Sequence, residues 1–165
     1  MLEITGRLES VPPGVQPTLT LTLPFDLRQK SRLRTRIDGG EDAWLMLPRG
    51  EILRGGDLLA AADGRIVEIV SQPERVLHVE CDTPEALVRA AYHLGNRHVP
   101  VEVREGFLRL AADHVLEQML IGMGARVTAT FAPFEPEAGA YAGHTHGSER
   151  GAGRIHEYGK HDEAA

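Results

Sequence analysis

The sequence predicts an α+β chain in three parts. These are a small all-β domain over residues 1–71, a ferredoxin-like βαββαβ domain over 72–137, and a flexible, histidine-containing tail over 138–165. Three observations predict it. The first part shows alternating apolar residues and Gly/Asp turns with no helical period. The second interleaves alternating runs with two amphipathic stripes of helical spacing. From Ala138 the apolar pattern stops, and too few large apolar groups remain to offset the entropy of ordering.

In chain order, Thr18 to Leu23 alternates strictly as a half-buried strand, and Pro24 ends it. Arg28, Lys30, Arg32, Arg34 and Arg36 also alternate, with Leu33 and Ile37 opposite, so a strand here would present a ladder of positive charge. Asp38-Gly39-Gly40 turns the chain into a strand over Ala43–Pro48. Turns at Gly55-Gly56-Asp57 and Asp63-Gly64 separate Leu58-Leu59 from Arg65–Val70. Short strands at this spacing suit a sandwich or barrel.

The polar, proline-containing stretch Ser71-Gln72-Pro73-Glu74 marks the domain boundary. Arg75–Cys81 alternates as a strand. Thr83 is an N-cap with Pro84 at the first helical position, and Ala86, Leu87, Ala90, Ala91 and Leu94 form one apolar stripe. Gly95 is expected to close that helix in the left-handed conformation. Val99–Glu102 and Phe107–Ala111 read as strands joined at Arg104-Glu105-Gly106. Asp113 caps a second helix with the stripe Val115, Leu116, Met119, Leu120 and Met123, closed by Gly122 and Gly124. Arg126–Phe131 is the last strand.

Composition narrows the function classes. A formal net charge of -6 argues against general nucleic-acid binding. No run approaches the roughly 18 apolar residues that cross a membrane, and the first ten residues lack the basic head and apolar stretch of a secretion signal. The lone Cys81 excludes an internal disulfide framework and fits a reducing compartment. The expectation is a cytoplasmic protein that binds neither nucleic acid nor membrane.

Histidine carries the suggestive chemistry. His98 sits in a turn before Pro100, which holds Val99 extended. His114 falls at the start of the second helix, where the macrodipole disfavours the imidazolium and favours the neutral, metal-binding ring. Four of the eight histidines lie in the tail, and His144-Thr145-His146 is an H-x-H pair able to chelate a divalent cation. His93, His156 and His161 are secondary-site candidates. By themselves, His98 and His114 read first as a solvated turn histidine and an ordinary helix-end residue, and as ligands second. Cys81 and His78 read as structural strand residues. The candidate ligands are imidazoles, which suit Ni(II), Cu(II) or Zn(II) rather than Mg or Ca.

Several motifs, in order, resemble one family. They are Leu47-Pro48-Arg49-Gly50, Leu53-Arg54-Gly55-Gly56-Asp57, Tyr92 to Pro100, Asp113-His114-Val115-Leu116, and Pro133 to Tyr141. Together they resemble UreE, the nickel carriers of urease maturation, over nearly the whole chain. The resemblance implies Ni(II) as cargo, with Zn(II) or Cu(II) able to bind the same sites. It implies a homodimer in which two copies of His98 share one metal at a twofold interface, with a metal-linked higher oligomer as a further expectation. The implied partners are an accessory GTPase and the urease apoprotein complex. It makes the first domain a partner- or peptide-binding type, the second the metal-binding and dimerisation domain. The tail is sparser in histidine than in many relatives, and Ala111-Ala112 stand where some relatives have further histidines.

Three readings follow. The first is a nickel metallochaperone with no enzymatic activity. The second is a metal-dependent hydrolase using His98 and His114, disfavoured because no acidic general base accompanies them. The third is a non-catalytic adaptor whose basic ladder docks an acidic partner, the histidines being incidental.

Overall fold

The computed structural model describes residues 1–9 and 16–138. Two sheets carry them. The first has six strands: β1 (Leu2–Leu8), β2 (Leu19–Leu23), β3 (Arg32–Arg36), β4 (Asp42–Met46), β5 (Leu58–Ala61) and β6 (Ile66–Ser71). They lie in the order β2-β6-β5-β1-β4-β3, with β1–β4 and β2–β6 parallel and the other pairs antiparallel. Alternation decides which side chains enter the core. Leu21, Leu23, Leu45, Leu59, Val67 and Ile69 are buried together with Leu2 and Ile4. The expected strands form, and β1 is an addition that sequence reading passed over.

A second addition breaks the basic ladder. Pro24 stands at the N-cap of a single helical turn, α1 (Phe25–Arg28), and Gln29 to Ser31 lead into β3. Only Arg32, Arg34 and Arg36 are therefore on a strand, all on its exposed face at the edge of the sheet. Arg28 departs most from expectation: it is fully buried. Lys30 lies in the turn. Alternation in sequence became a ladder only where the backbone is extended.

The second sheet has β7 (Pro73–Glu80), β8 (Glu102–Arg104), β9 (Phe107–Ala111) and β10 (Arg126–Pro133) in the order β10-β7-β9-β8, all pairs antiparallel. Helices α2 (Pro84–Gly95) and α3 (His114–Gly122) follow β7 and β9, completing the βαββαβ path. Both N-caps form as their sequences dictate. Thr83 Oγ1 accepts from the Ala86 amide at 3.1 Å, and Asp113 Oδ1 accepts from Val115 and Leu116 at 2.8 and 2.9 Å. The core beneath the helices joins Leu77, Val79, Ala90, Leu94, Leu108, Leu110 and Leu120. No helix among the described residues is long and apolar enough to cross a membrane.

A third, small core sits where the two sheets meet. Phe25 and Phe134 pack edge to face at 5.4 Å over Val76. Beside them the Arg28 guanidinium donates to Glu135 Oε1 at 2.8 Å, to the Leu53 carbonyl at 3.0 Å and to the Phe134 carbonyl. A buried cation needs this compensation.

Candidate metal centre

His98 stands at the end of α2, and the way that helix closes decides how its ring is presented. Gly95 does not take the left-handed conformation; it remains in the last turn of the helix. His98 takes it instead, with φ 56, the only positive φ at a non-glycine among the described residues. The amide of His98 donates to the Gly95 carbonyl at 2.9 Å and that of Val99 to the Leu94 carbonyl at 3.3 Å, which is the Schellman closure. Helix α3 closes identically through Gly124 (φ 88), with Gly124 donating to Ile121 and Ala125 to Leu120. One end uses glycine, as local sterics prefer. The other uses histidine, at a cost of about 1 kcal/mol for an L-residue in that region. The ring of His98 is consequently exposed and projects from a backbone held on both sides by core residues Leu94 and Val99.

His114 is the first residue of α3, exposed, next to the Asp113 cap. The βαββαβ path runs α2 and α3 in opposite directions, so the turn after α2 and the start of α3 lie at the same end of the sheet. His93 is half-buried in the last turn of α2. It lines a depression of about 420 Å³ with Thr83, Glu85, Ala86, Arg89 and Met123. His144, His146, His156 and His161 lie outside the described residues. Among the described residues, no three His, Cys, Asp or Glu side chains converge on one point.

The residues read as structural have partners of their own. The His78 ring lies 4.5 Å from that of Phe107 on the sheet face away from the helices. Cys81 is half-buried against the helix-side core, and burial followed by the Asp82 charge pushes its thiol up, with Arg126 opposing. A raised thiol pKa disfavours the thiolate that binds metal. On the basic edge strand, Arg34 lies 5.9 Å above the Trp44 ring, and Arg36 pairs with Asp42 at 3.0 Å in solvent.

Sequence reasoning missed what stands beside the His98 turn. After β10 the chain continues as Phe134-Glu135-Pro136-Glu137. Burial raises the Glu135 carboxyl, but the Gly55 amide, Arg28 and Arg54 together outweigh it and hold it below the usual value. A side chain at position 55 would meet Glu135 Oε1 and Ser71 Cβ at 3.3 Å, so glycine there lets the two segments approach. Arg54 also donates to the Pro136 carbonyl at 2.6 Å, the Glu135 amide donates to Glu102 Oε2 at 3.1 Å, and the Glu137 amide donates to the Val101 carbonyl at 2.8 Å. The only local signal was the run Pro133 to Glu137 itself; its partners lie up to 107 residues away.

Comparison with known proteins agrees with this architecture. Residues 1–72 match the family model for the N-terminal domain of the UreE urease accessory protein, and residues 74–163 match that for its C-terminal domain. The urease accessory protein UreE of Cupriavidus necator is 52% identical over 155 residues, covering 90% of this chain and 80% of the relative. That of Pseudomonas putida is 52% identical over 148 residues, 89% of each. That of Burkholderia lata is 56% identical over 131 residues, covering 79% of this chain but only 63% of the relative's own length. Both halves of the chain thus match, in order and without a large gap, and the chain belongs to the UreE family of urease accessory proteins.

Proposed function

We propose that this protein carries Ni(II) as cargo and donates it during maturation of the urease active site, working in the cytoplasm through an accessory GTPase and the urease apoprotein complex. The observation that carries the reading is His98, an exposed imidazole held in a left-handed position that local sterics reserve for glycine. Spending backbone strain on a side chain that no described partner stabilises makes sense if the side chain is there for a ligand.

One imidazole does not hold a metal. The described part of one chain supplies no triad, so the remaining ligands come from a second copy or from the tail. A twofold axis near His98 doubles it, and a homodimer is the simplest closed assembly. Val88 and Tyr92 on α2 and Val115 on α3 are exposed apolar side chains that such an association would cover. His114 stands at the same end, and His144 and His146 complete the shell, with His93, His156 and His161 as secondary ligands. Partial coordination by imidazoles suits a carrier, because the cargo has to leave. Zn(II) and Cu(II) bind the same nitrogens.

The exposed guanidiniums of Arg32 and Arg34, with Arg36, favour a second role for the β3 edge: docking an acidic partner surface, with electrostatic steering. Arg28 takes no part in it.

A calorimetric Ni(II) titration of the wild type and His98→Ala at neutral pH, with particle mass recorded alongside, tests the carrier reading. The expected result is one tight ion per dimer for the wild type and none for the variant. Equal titration by both would leave His98 with a structural role only.

A further inference from the structure

We infer that the β3 edge takes up an extended acidic segment of a partner protein as an added strand, in a register set by Arg32, Arg34 and Arg36. The inference rests on the reading of that edge as a docking surface and specifies how the partner is held. Strand β3 is the outer strand of the six-stranded sheet and pairs only with β4, with Arg34 opposite Trp44. The bonds at its two ends fix which backbone groups face β4. The Leu47 amide donates to the Ser31 carbonyl at 2.8 Å, and the Ile37 amide to the Glu41 carbonyl at 3.0 Å. Bonded and non-bonded pairs alternate along an antiparallel ladder. Ser31, Leu33, Thr35 and Ile37 therefore direct their N–H and C=O groups to β4, and Arg32, Arg34 and Arg36 turn theirs outward along the open edge. The opposite edge of the sheet is closed. On β2 the Thr20 carbonyl accepts from the Asp38 amide at 3.0 Å, and the Thr22 amide donates to Asp38 Oδ1 at 3.1 Å. Among the described residues, no such bond covers β3.

The three residues that turn their backbone outward are the same three that carry exposed guanidiniums on one face. An antiparallel strand added along this edge lies about 4.8 Å away. Each of its bonded residues stands opposite an arginine, with its side chain on the same face. Opposite charges across such a pair are favoured and like charges disfavoured. A second copy of β3 would set arginine against arginine, so the edge repels itself and selects carboxylates at every second position. The partner's intervening side chains fall on the other face, beside Leu33, which packs against the first core. Apolar residues there extend that core. The guanidiniums are partly oriented beforehand, Arg34 over the Trp44 ring and Arg36 by Asp42. At the Arg36 end, Met1, Arg34, Thr35, Arg36, Asp42 and Ala43 line an open depression of about 480 Å³, with room for an incoming side chain. The segment recognised alternates acidic and apolar residues along the five residues of β3.

Three synthetic peptides test this on the full chain. The first alternates three glutamates with two valines. The second has the same residues with the glutamates contiguous, and the third is the first with its glutamate backbone nitrogens methylated. Binding is read by fluorescence anisotropy at low salt and by amide hydrogen exchange. The alternating peptide should bind and slow exchange at the amides of Arg32, Arg34 and Arg36, leaving those of Leu33 and Thr35 unchanged. Methylation keeps every charge but removes the donors, and should weaken binding about tenfold. The contiguous peptide should bind as weakly as the methylated one. Equal binding by all three, with no change at the arginine amides, overturns strand addition and leaves charge-steered docking in place. No binding by any of them at low salt overturns the docking reading as well. Protection of the same amides that rises with the concentration of the chain alone would assign the edge to a second copy and likewise overturn the inference.

Discussion

The Val99 amide donates to the Leu94 carbonyl five residues back, over 3.3 Å, and this bond leaves His98 as the left-handed residue that closes α2. Leu94 and Val99 belong to the same core, so helix closure and core packing enforce one another. In α3 the equivalent bond, Ala125 to Leu120, closes over Gly124. The same local geometry thus carries a permissive residue in one helix and a strained one in the other.

His98→Gly should stabilise the chain by about 0.5–1 kcal/mol, since glycine enters the left-handed region without the Cβ clash. His98→Ala should be no more stable than wild type, because histidine tolerates this region better than alanine. On the carrier reading, both should also lose Ni(II) binding. Urea denaturation of the apoproteins gives the order; alanine matching or exceeding glycine would contradict the closure described.

Gly95→Ala should also stabilise, by roughly 0.5–1 kcal/mol, because Gly95 is helical and nothing lies within 4 Å of an added Cβ. Were Gly95 the left-handed residue, the same substitution would destabilise. Thermal melting distinguishes the two signs.

Imidazole ligation makes Ni(II) affinity fall as pH drops through the histidine range near 6.5, since protons compete for the same nitrogens. Titrations at several pH values should show a steep decline toward about pH 5. A flat profile between pH 8 and about 5 would refute histidine as the ligand.

Glu135 supplies a separate acid limb. Its carboxyl is held below the ordinary value in the folded chain, so its contribution is present above the unfolded carboxyl pKa of about 4.3 and is lost as pH falls through the lower folded value. Glu135→Gln should destabilise at neutral pH and lose part of the fall in stability below about pH 4.3. Denaturant midpoints over that range measure it, and parallel curves for wild type and variant would count against the assignment.

Charge reversal of Arg32 and Arg34 to glutamate should leave the melting temperature within about 2 °C, both side chains being exposed on an edge strand. Binding to the acidic partner should fall, most strongly at low salt. An unchanged association rate at low ionic strength would show that the β3 edge is a solvated face.

Much of the fold was legible because its causes are local. The alternation of Leu19 to Leu23, the Thr83 and Asp113 caps, and the stripe ending at Leu94 are properties of neighbouring residues, and the structure repeats them. The stripe from Val115 to Met123 is kept only in part, with Val115 exposed and Met123 just past the end of α3. The histidines were legible as chemistry, and the family resemblance singled out His98 from among them.

What sequence alone determined, then, was most of the elements (β1 and α1 excepted), their order and the residue types available for metal chemistry, since propensity, capping and periodicity act within a few positions. Tertiary structure decided the rest. It chose His98 over Gly95 as the left-handed residue, because the closing bond forms where Leu94 and Val99 both reach the core. It withdrew Arg28 from a basic ladder into a buried pair with Glu135, 107 residues away, because a helical turn after Pro24 points that side chain inward. And it brought Glu137 to Val101, because the segment after β10 runs to the start of β8 at the end of the sheet that carries His98.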